Sequence, residues 1–571
     1  MSRFVGPAAL ALGLASLAPV LAHSTAHAAD PAPDCATAFP VADLVDGQTV
    51  HGLTVSSGTT PETFTGEVLG VLEDGIAPGV DMIMMRLDSP ALQDAGGIWQ
   101  GMSGSPVYDD ATGDLIGAVA YGLAWGTTPV AGVTPFEDMD DYLAAPPAAR
   151  TVDVTRSDAR AIAATGEGTV AQAEQGFRHL PVPMGISGVA PDRLDGPQAR
   201  PYLTPNAVSI GRANPAAAEP ETLIAGGNLA AALSLGDITA AGVGTVTSVC
   251  DGRLVGFGHP MRFAGPSSYG LAAANAIYVQ EDPLGVPFKL ANIGTLSGTI
   301  TDDRLTGISG SLGAVPAATP YTSEVTFGGR NRVGATDVLV PEALAGTVFA
   351  GSLGNHDRVF DQIGDGSEVQ TWMVEGTDPT GAPFAIEFED RIQSSFDLSY
   401  EASFPLADLV YVLGQFPGVE ITSVSSTADL SSDADSYTIR KVEQRRGARW
   451  FNVGRRAAQV AAGSTLRLRV TLASADGTTT VPVRIDVPRR LRDTRGSVSL
   501  FGGNESQLAE EVFGADTFED ALEVVDGAIR NDQVEATARI GRGARQLRTS
   551  VVTAPVDLVV NGGKFVDIVV R

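Results

Sequence analysis

Two cysteines, six histidines and 38 basic side chains against 67 acidic ones are what this 571-residue chain has least of. Each shortage removes a class of function. There is no His-Glu-x-x-His, no paired Cys-x-x-Cys and no clustering of histidines, so zinc chemistry has no ligand set. The many aspartates leave a Ca²⁺ site open, but no metal and no cofactor is expected. Gly242-Val243-Gly244 lacks the third glycine of a dinucleotide-binding turn and reads as strand flexibility. A net charge of -29 repels a phosphate backbone, which argues against a nucleic-acid partner. Long apolar runs are confined to the start of the chain. There Arg3 precedes the stretch from Val5 to Ala22, and Ala26-His27-Ala28 offers the small residues a signal peptidase reads. A signal peptide over residues 1–28, cleaved after Ala28, is expected; the Gly and Pro interruptions argue against a membrane anchor. Cys35 has no lipid-attachment setting, so a secreted or extracytoplasmic protein with no later transmembrane segment is the expectation. Cys35 and Cys250 form an even pair in an oxidising compartment, which allows one disulfide; two unpaired cysteines fit the count as well.

What is abundant is Gly (66) and Pro (35), with Val and Thr in short alternating runs, the composition of a mainly all-β protein of short strands and tight turns. Length alone implies about three or four folding units. Residues 29–143 read as one β unit, with strands at Thr63 to Leu72, Val80 to Leu87, Pro106 to Tyr108 and Leu115 to Leu123. A short helix over Pro135 to Leu143, capped by Thr134 and Glu137, closes it. Residues 144–222 turn rich in Ala, Pro and charge, as a connector does. Residues 223–335 resume the β pattern; Thr245 to Cys250, Asp251-Gly252 and Arg253 to Phe257 predict a hairpin that delivers Gly258-His259-Pro260. Residues 336–571 read as β-sandwich-like accessory structure with a helix capped near Asp516-Thr517-Phe518-Glu519.

Gly101-Met102-Ser103-Gly104-Ser105-Pro106 has the composition of a tight turn presenting a serine hydroxyl, with the N–H groups of Gly101 and Ser103 as donors to an oxyanion. A Gly/Ser-rich loop without chemistry fits these six residues equally. The α/β-hydrolase elbow does not fit, because it needs Gly where Ser105 stands, followed by a helix. Histidine is the usual base for such a serine. His23 and His27 leave with the signal peptide, so His51, His179, His259 and His356 are the candidates. His259 stands out because it leaves a hairpin strand between Gly258 and a rigid proline.

The string Gly96-Gly97-Ile98-Trp99-Gln100-Gly101-Met102-Ser103-Gly104-Ser105-Pro106-Val107, followed by Leu115-Ile116-Gly117-Ala118-Val119, resembles the SpoIVB-type serine peptidases, a chymotrypsin-like family. The resemblance covers about residues 45–143 and 225–330. It implies a catalytic serine at Ser103, a catalytic aspartate fifteen residues upstream at Asp88, and a base at His259 after its Gly-His hairpin. The order Asp88, Ser103, His259 differs from that of the sporulation enzyme, as though the halves were exchanged. No peptide-binding PDZ-like module is recognised. The implied fold is a chymotrypsin-like double β-barrel with exchanged halves plus C-terminal β-sandwich-like structure. The implied activity is endopeptidase cleavage of a protein or peptide substrate, by limited cleavage of a partner or of the chain itself. Two rivals remain: a catalytically inactive peptidase-like scaffold, and a cell-envelope binding protein. The second would act through the cations and aromatics of Arg445-Arg446-Gly447-Ala448-Arg449-Trp450-Phe451 and Arg455-Arg456, a run that also fits a solvated hairpin face.

Overall fold

The computed structural model describes residues 36–571 apart from 125, 140–150, 153–155, 167–168, 174–176, 180–183, 195–207, 283–285, 454–455, 506–507 and 544–545. The expected signal peptide and Cys35 lie outside the described residues; Cys250 is disulfide-bonded. Among the described residues no helix is long and apolar enough to cross a membrane.

The first unit is built from β1 (Thr49–Thr54), β2 (Glu62–Ala77), β3 (Val80–Asp88), the short helix α1 (Pro90–Ala95), β4 (Pro106–Asp109), β5 (Leu115–Leu123) and β6 (Val130–Pro135). The strands pair in the order β4-β1-β2-β3-β6-β5, and β4 also pairs with β5, so six antiparallel strands close into a barrel. Inward positions on alternating strands fill it with Val50, Phe64, Ile83, Met85, Trp99, Met102, Val107, Val119 and Val133. The residues expected to form a helix from Pro135 begin one position later as α2 (Phe136–Met139), while residues 140–143 lie outside the described set. Thr134 does not cap that helix. It is still in β6, and its hydroxyl donates to Gly258 O at 2.6 Å on the next barrel.

The connector contributes strands to both neighbours. β7 (Thr151–Val152) and β8 (Phe177–His179) extend the first sheet through β5, and β9 (Met184–Ile186) with β10 (Val208–Ser209) extends the second. The second barrel comprises β11 (Asn228–Gly236), β12 (Ala240–Cys250), β13 (Arg253–Gly256), β14 (Gly265–Gln280), β15 (Phe288–Arg304) and β16 (Gly307–Leu312). It closes through pairing of β11 with β12. The predicted Asp-Gly turn is present, with φ of 49° at Asp251 and 74° at Gly252, the positive pair a two-residue hairpin demands.

This sheet runs past residue 335. β17 (Thr319–Phe327) and β18 (Arg330–Val338) join it through β11, and strands Gly366–Thr377, Pro383–Ser394 and Glu420–Ser431 follow, covered by the helix Leu344–Phe360. Only beyond Ser431 does a separate pair of five-stranded sheets begin, enclosing a core of Ile439, Leu468, Val470, Val498, Leu500 and Ile568. The chain is thus mainly β: two barrels, an extended sheet and a sandwich.

Candidate active site

Ser103 sits on the turn between α1 and β4, and glycine makes that turn. Gly101 and Gly104 have φ of 91° and 96°, which L side chains rarely adopt. A Cβ on Gly104 would also run into the Thr245 carbonyl and the Phe257 amide, so the turn lies directly against the second barrel. Hydrogen bonds lock it there. Thr245 N–H donates to Ser103 O (2.9 Å), Thr245 Oγ1 to Gly101 O (3.1 Å), Thr247 Oγ1 to Gly104 O (2.8 Å), and Lys289 N–H to Gln100 O (3.0 Å).

The amides of this turn divide into two sets. Gln100, Met102, Gly104 and Ser105 donate to Pro287 O, Trp99 O, Val119 O and Met102 O. Gly101 and Ser103 donate to no acceptor among the described residues. These are the two N–H groups expected to meet an oxyanion. The two hydroxyls also differ. Ser105 Oγ donates to Met102 O at 2.6 Å and lies 2.9 Å from Thr54 Oγ1, whereas Ser103 Oγ, although buried, has no hydrogen-bond partner among the described residues. An uncommitted buried hydroxyl is costly, and such groups concentrate where chemistry needs them.

His259 leaves β13 through Phe257 and Gly258, both at positive φ (69° each). The imidazole is 1% exposed. Its Nδ1 lies 2.8 Å from Pro260 O; a carbonyl only accepts, so Nδ1 carries the proton and Nε2 keeps its lone pair in the neutral ring. The structure therefore brings the Ser103 turn and the His259 segment to one seam between the barrels, but Ser103 Oγ is not hydrogen-bonded to the imidazole.

Asp88 is not brought to that seam. It ends β3, is exposed, and its Oδ1 accepts from Gln93 Nε2 at 2.9 Å. It lines a cleft of about 910 Å³ with Thr49, Glu67, Arg86 and Asp110, and neither Ser103 nor His259 borders that cleft. The remaining histidines stand elsewhere. His51 is half-exposed, stacked on Tyr108 and 2.8 Å from Asp110. His179 belongs to β8. His356 is buried in the Leu344–Phe360 helix, with Nε2 at 3.0 Å from Glu368, whose carboxylate raises its pKa against the opposing effect of burial.

Two buried groups at the seam carry no sequence signal. Asp303, fully buried near the end of β15, accepts from Met261 N–H and Arg262 N–H at 2.8 Å each and from Tyr269 OH at 3.1 Å, with Ala264 N–H at 3.4 Å. It anchors the segment that immediately follows His259-Pro260. Lys289, also fully buried, donates from Nζ to Asn228 Oδ1 at 2.8 Å, and burial pushes its pKa down to about 7. Asn228 in turn donates to Gly58 O of the first barrel (3.1 Å) and to Ala274 O (3.2 Å). Both groups became visible only through contacts between residues far apart in sequence. Among the described residues no group of three or more His, Cys, Asp or Glu side chains is arranged to hold a metal.

No curated protein and no solved structure matches the chain. Residues 33–133, the segment that holds Asp88, Gly101 and Ser103, match the model of the SpoIVB peptidase S55 family, so the Ser103 barrel is similar to the peptidases of that family.

Proposed function

We propose that the protein is an exported serine endopeptidase in which Ser103 is the nucleophile and His259 the base. Ser103 Oγ attacks the carbonyl carbon of a peptide bond as His259 Nε2 takes the hydroxyl proton. The oxyanion that forms is met by the N–H groups of Gly101 and Ser103. His259 returns the proton to the departing amine, and water then releases the acyl group by the same route. Pro260 O holds the ring in the tautomer this requires, a task the resemblance gives to Asp88. The serine precedes the histidine in the chain because each half of the site sits on its own barrel, and geometry rather than order defines such a site. Limited cleavage of a protein partner or of the chain itself is the activity proposed.

The observation that carries this reading is the pairing of one uncommitted buried hydroxyl with two uncommitted amides on a single turn. A fluorophosphonate probe and a peptide-hydrolysis assay test it. Wild type is expected to be labelled at Ser103 and to cleave, and Ser103→Ala to do neither, with activity lower by at least about 10³-fold. Equal hydrolysis by both would end the proposal. The burial of Ser103, 0% exposed, favours one second reading, a peptidase-like scaffold without catalysis. Persistent absence of labelling in folded wild type would select it.

A further inference from the structure

The cationic run flagged in the sequence divides in two in the structure. Part of it is self-satisfied on the hairpin formed by strands Ser436–Arg446 and Arg449–Asn452. Arg446 lies over the Phe451 ring at 5.6 Å, and Arg469 from the neighbouring strand lies over Trp450 at 4.6 Å. Arg456, by contrast, lines a separate cleft of about 500 Å³ together with Arg440, Lys441, Asn452, Lys564 and Phe565, with the buried Val442 and Val566 beneath them. Among the described residues no carboxylate lines it. In a chain of net charge -29, four cations around one concavity are a local inversion of sign.

The backbone builds this concentration. The pairing of Ser436–Arg446 with Ser464–Ala473 slips between Ile439 and Lys441, so Arg440 is the extra residue of a bulge and both cations are exposed side by side. Lys441 is balanced by Glu443 at 2.7 Å. Arg440, Arg456 and Lys564 have no acidic partner among the described residues. Beside them Phe565 is 70% exposed, its ring edge-to-face with Phe501 at 5.5 Å and 85°. An exposed aromatic face fixed by a second ring offers a platform for the apolar face of a sugar, and the unbalanced cations beside it accept carboxylate or phosphate groups.

We propose that this cleft is a binding site for an anionic glycan, with Phe565 stacking on a sugar ring and Arg440, Arg456 and Lys564 pairing with its acidic substituents. The site lies on the sandwich and is independent of the peptidase reading. The acidic group has two sources, a uronate or a phosphodiester, and the probes separate them: polygalacturonate, a phosphomannan, neutral dextran and inorganic polyphosphate. Affinity electrophoresis of the mature full-length chain reads the binding. Wild type is expected to be retarded by at least one of the two anionic polymers and not by dextran. The double variant Arg440→Glu, Lys564→Glu should bind at least tenfold more weakly. Phe565→Ala should lose several-fold on the retarding anionic polysaccharide, with no change on polyphosphate. These side chains are exposed, so unchanged circular dichroism and melting temperature are expected and serve as the folding check. Absence of retardation by both anionic polymers, or retention unaffected by charge reversal, would overturn the proposal. So would polyphosphate binding as tight as glycan binding together with indifference to Phe565→Ala, which would reduce the cleft to unspecific charge.

Discussion

The two barrels hold their halves of the site by opposite means. The Ser103 turn takes its rigidity from its neighbour, since four of the bonds that fix it come from Thr245, Thr247 and Lys289 on the second barrel. The His259 segment is fixed mainly from within, by the buried Asp303 carboxylate gathering Met261, Arg262 and Tyr269 of its own barrel. Their cores differ accordingly. The first is filled by bulky side chains such as Phe64, Trp99, Met85 and Met102, whereas the second combines Leu, Val and Ile with runs of alanine on β11 and β14. On the proposed reading, the Ser103 hydroxyl and its two amides are positioned only when the barrels are docked, whereas the His259 imidazole is held mainly by its own barrel.

The largest test of this contrast compares the two candidate partners of Ser103. His259→Gln is expected to lower kcat by about 10³–10⁴-fold, while Asp88→Asn, whose carboxylate meets only Gln93, should cost less than about tenfold. A loss in Asp88→Asn as large as that in His259→Gln would return the acid to Asp88. Next in size is Asp303→Asn, which places an amide where a carboxylate now accepts from three backbone N–H groups. Its expected effect is about 10²-fold on kcat with KM within about twofold, together with roughly 1–3 kcal/mol of stability lost on urea unfolding. A change in stability without the kcat effect would show that Asp303 supports the barrel and not the imidazole.

Lys289 provides a pH test of the seam. Its pKa falls from the ordinary 10.5 to about 7 on folding, so between those values the unfolded chain binds the extra proton. Its destabilising contribution is therefore complete and flat below pH 7, and it is relieved as pH rises from 7 to about 10.5, by on the order of a few kcal/mol. Lys289→Met should remove that rise from the difference between the two stability–pH curves, measured by chemical denaturation. Parallel curves would show that the side chain is charged in the fold. The smallest effect is expected of Thr245→Val, which loses the bond to Gly101 O but keeps its own N–H to Ser103 O. A loss of up to about tenfold in kcat/KM is expected, because a neutral hydrogen bond contributes about 1 kcal/mol. A larger loss would show that the docked turn depends on that hydroxyl more than on the backbone.

The sequence determined by itself what depends on residues close in the chain. Alternation of apolar and polar residues marked the sandwich strands Ser464–Ala473 and Thr478–Val487, because a half-buried strand has period two, while β3 and β5 were legible as short apolar runs bounded by turns. Asp251-Gly252 specified its hairpin because few residue pairs tolerate two positive φ angles. Gly101 and Gly104 specified the turn around Ser103 for the same reason. Where the chain pairs with itself at long range, these signals stopped. Nothing local showed that the connector would lend strands to both barrels, or that the second sheet would continue past residue 335. Closure of each barrel, the choice of Pro260 O beside His259, and the burial of Asp303 and Lys289 were decided by tertiary structure alone. A side chain's hydrogen-bond partner depends on which segments meet across the fold, and a buried polar group is held only when all of those segments are in place.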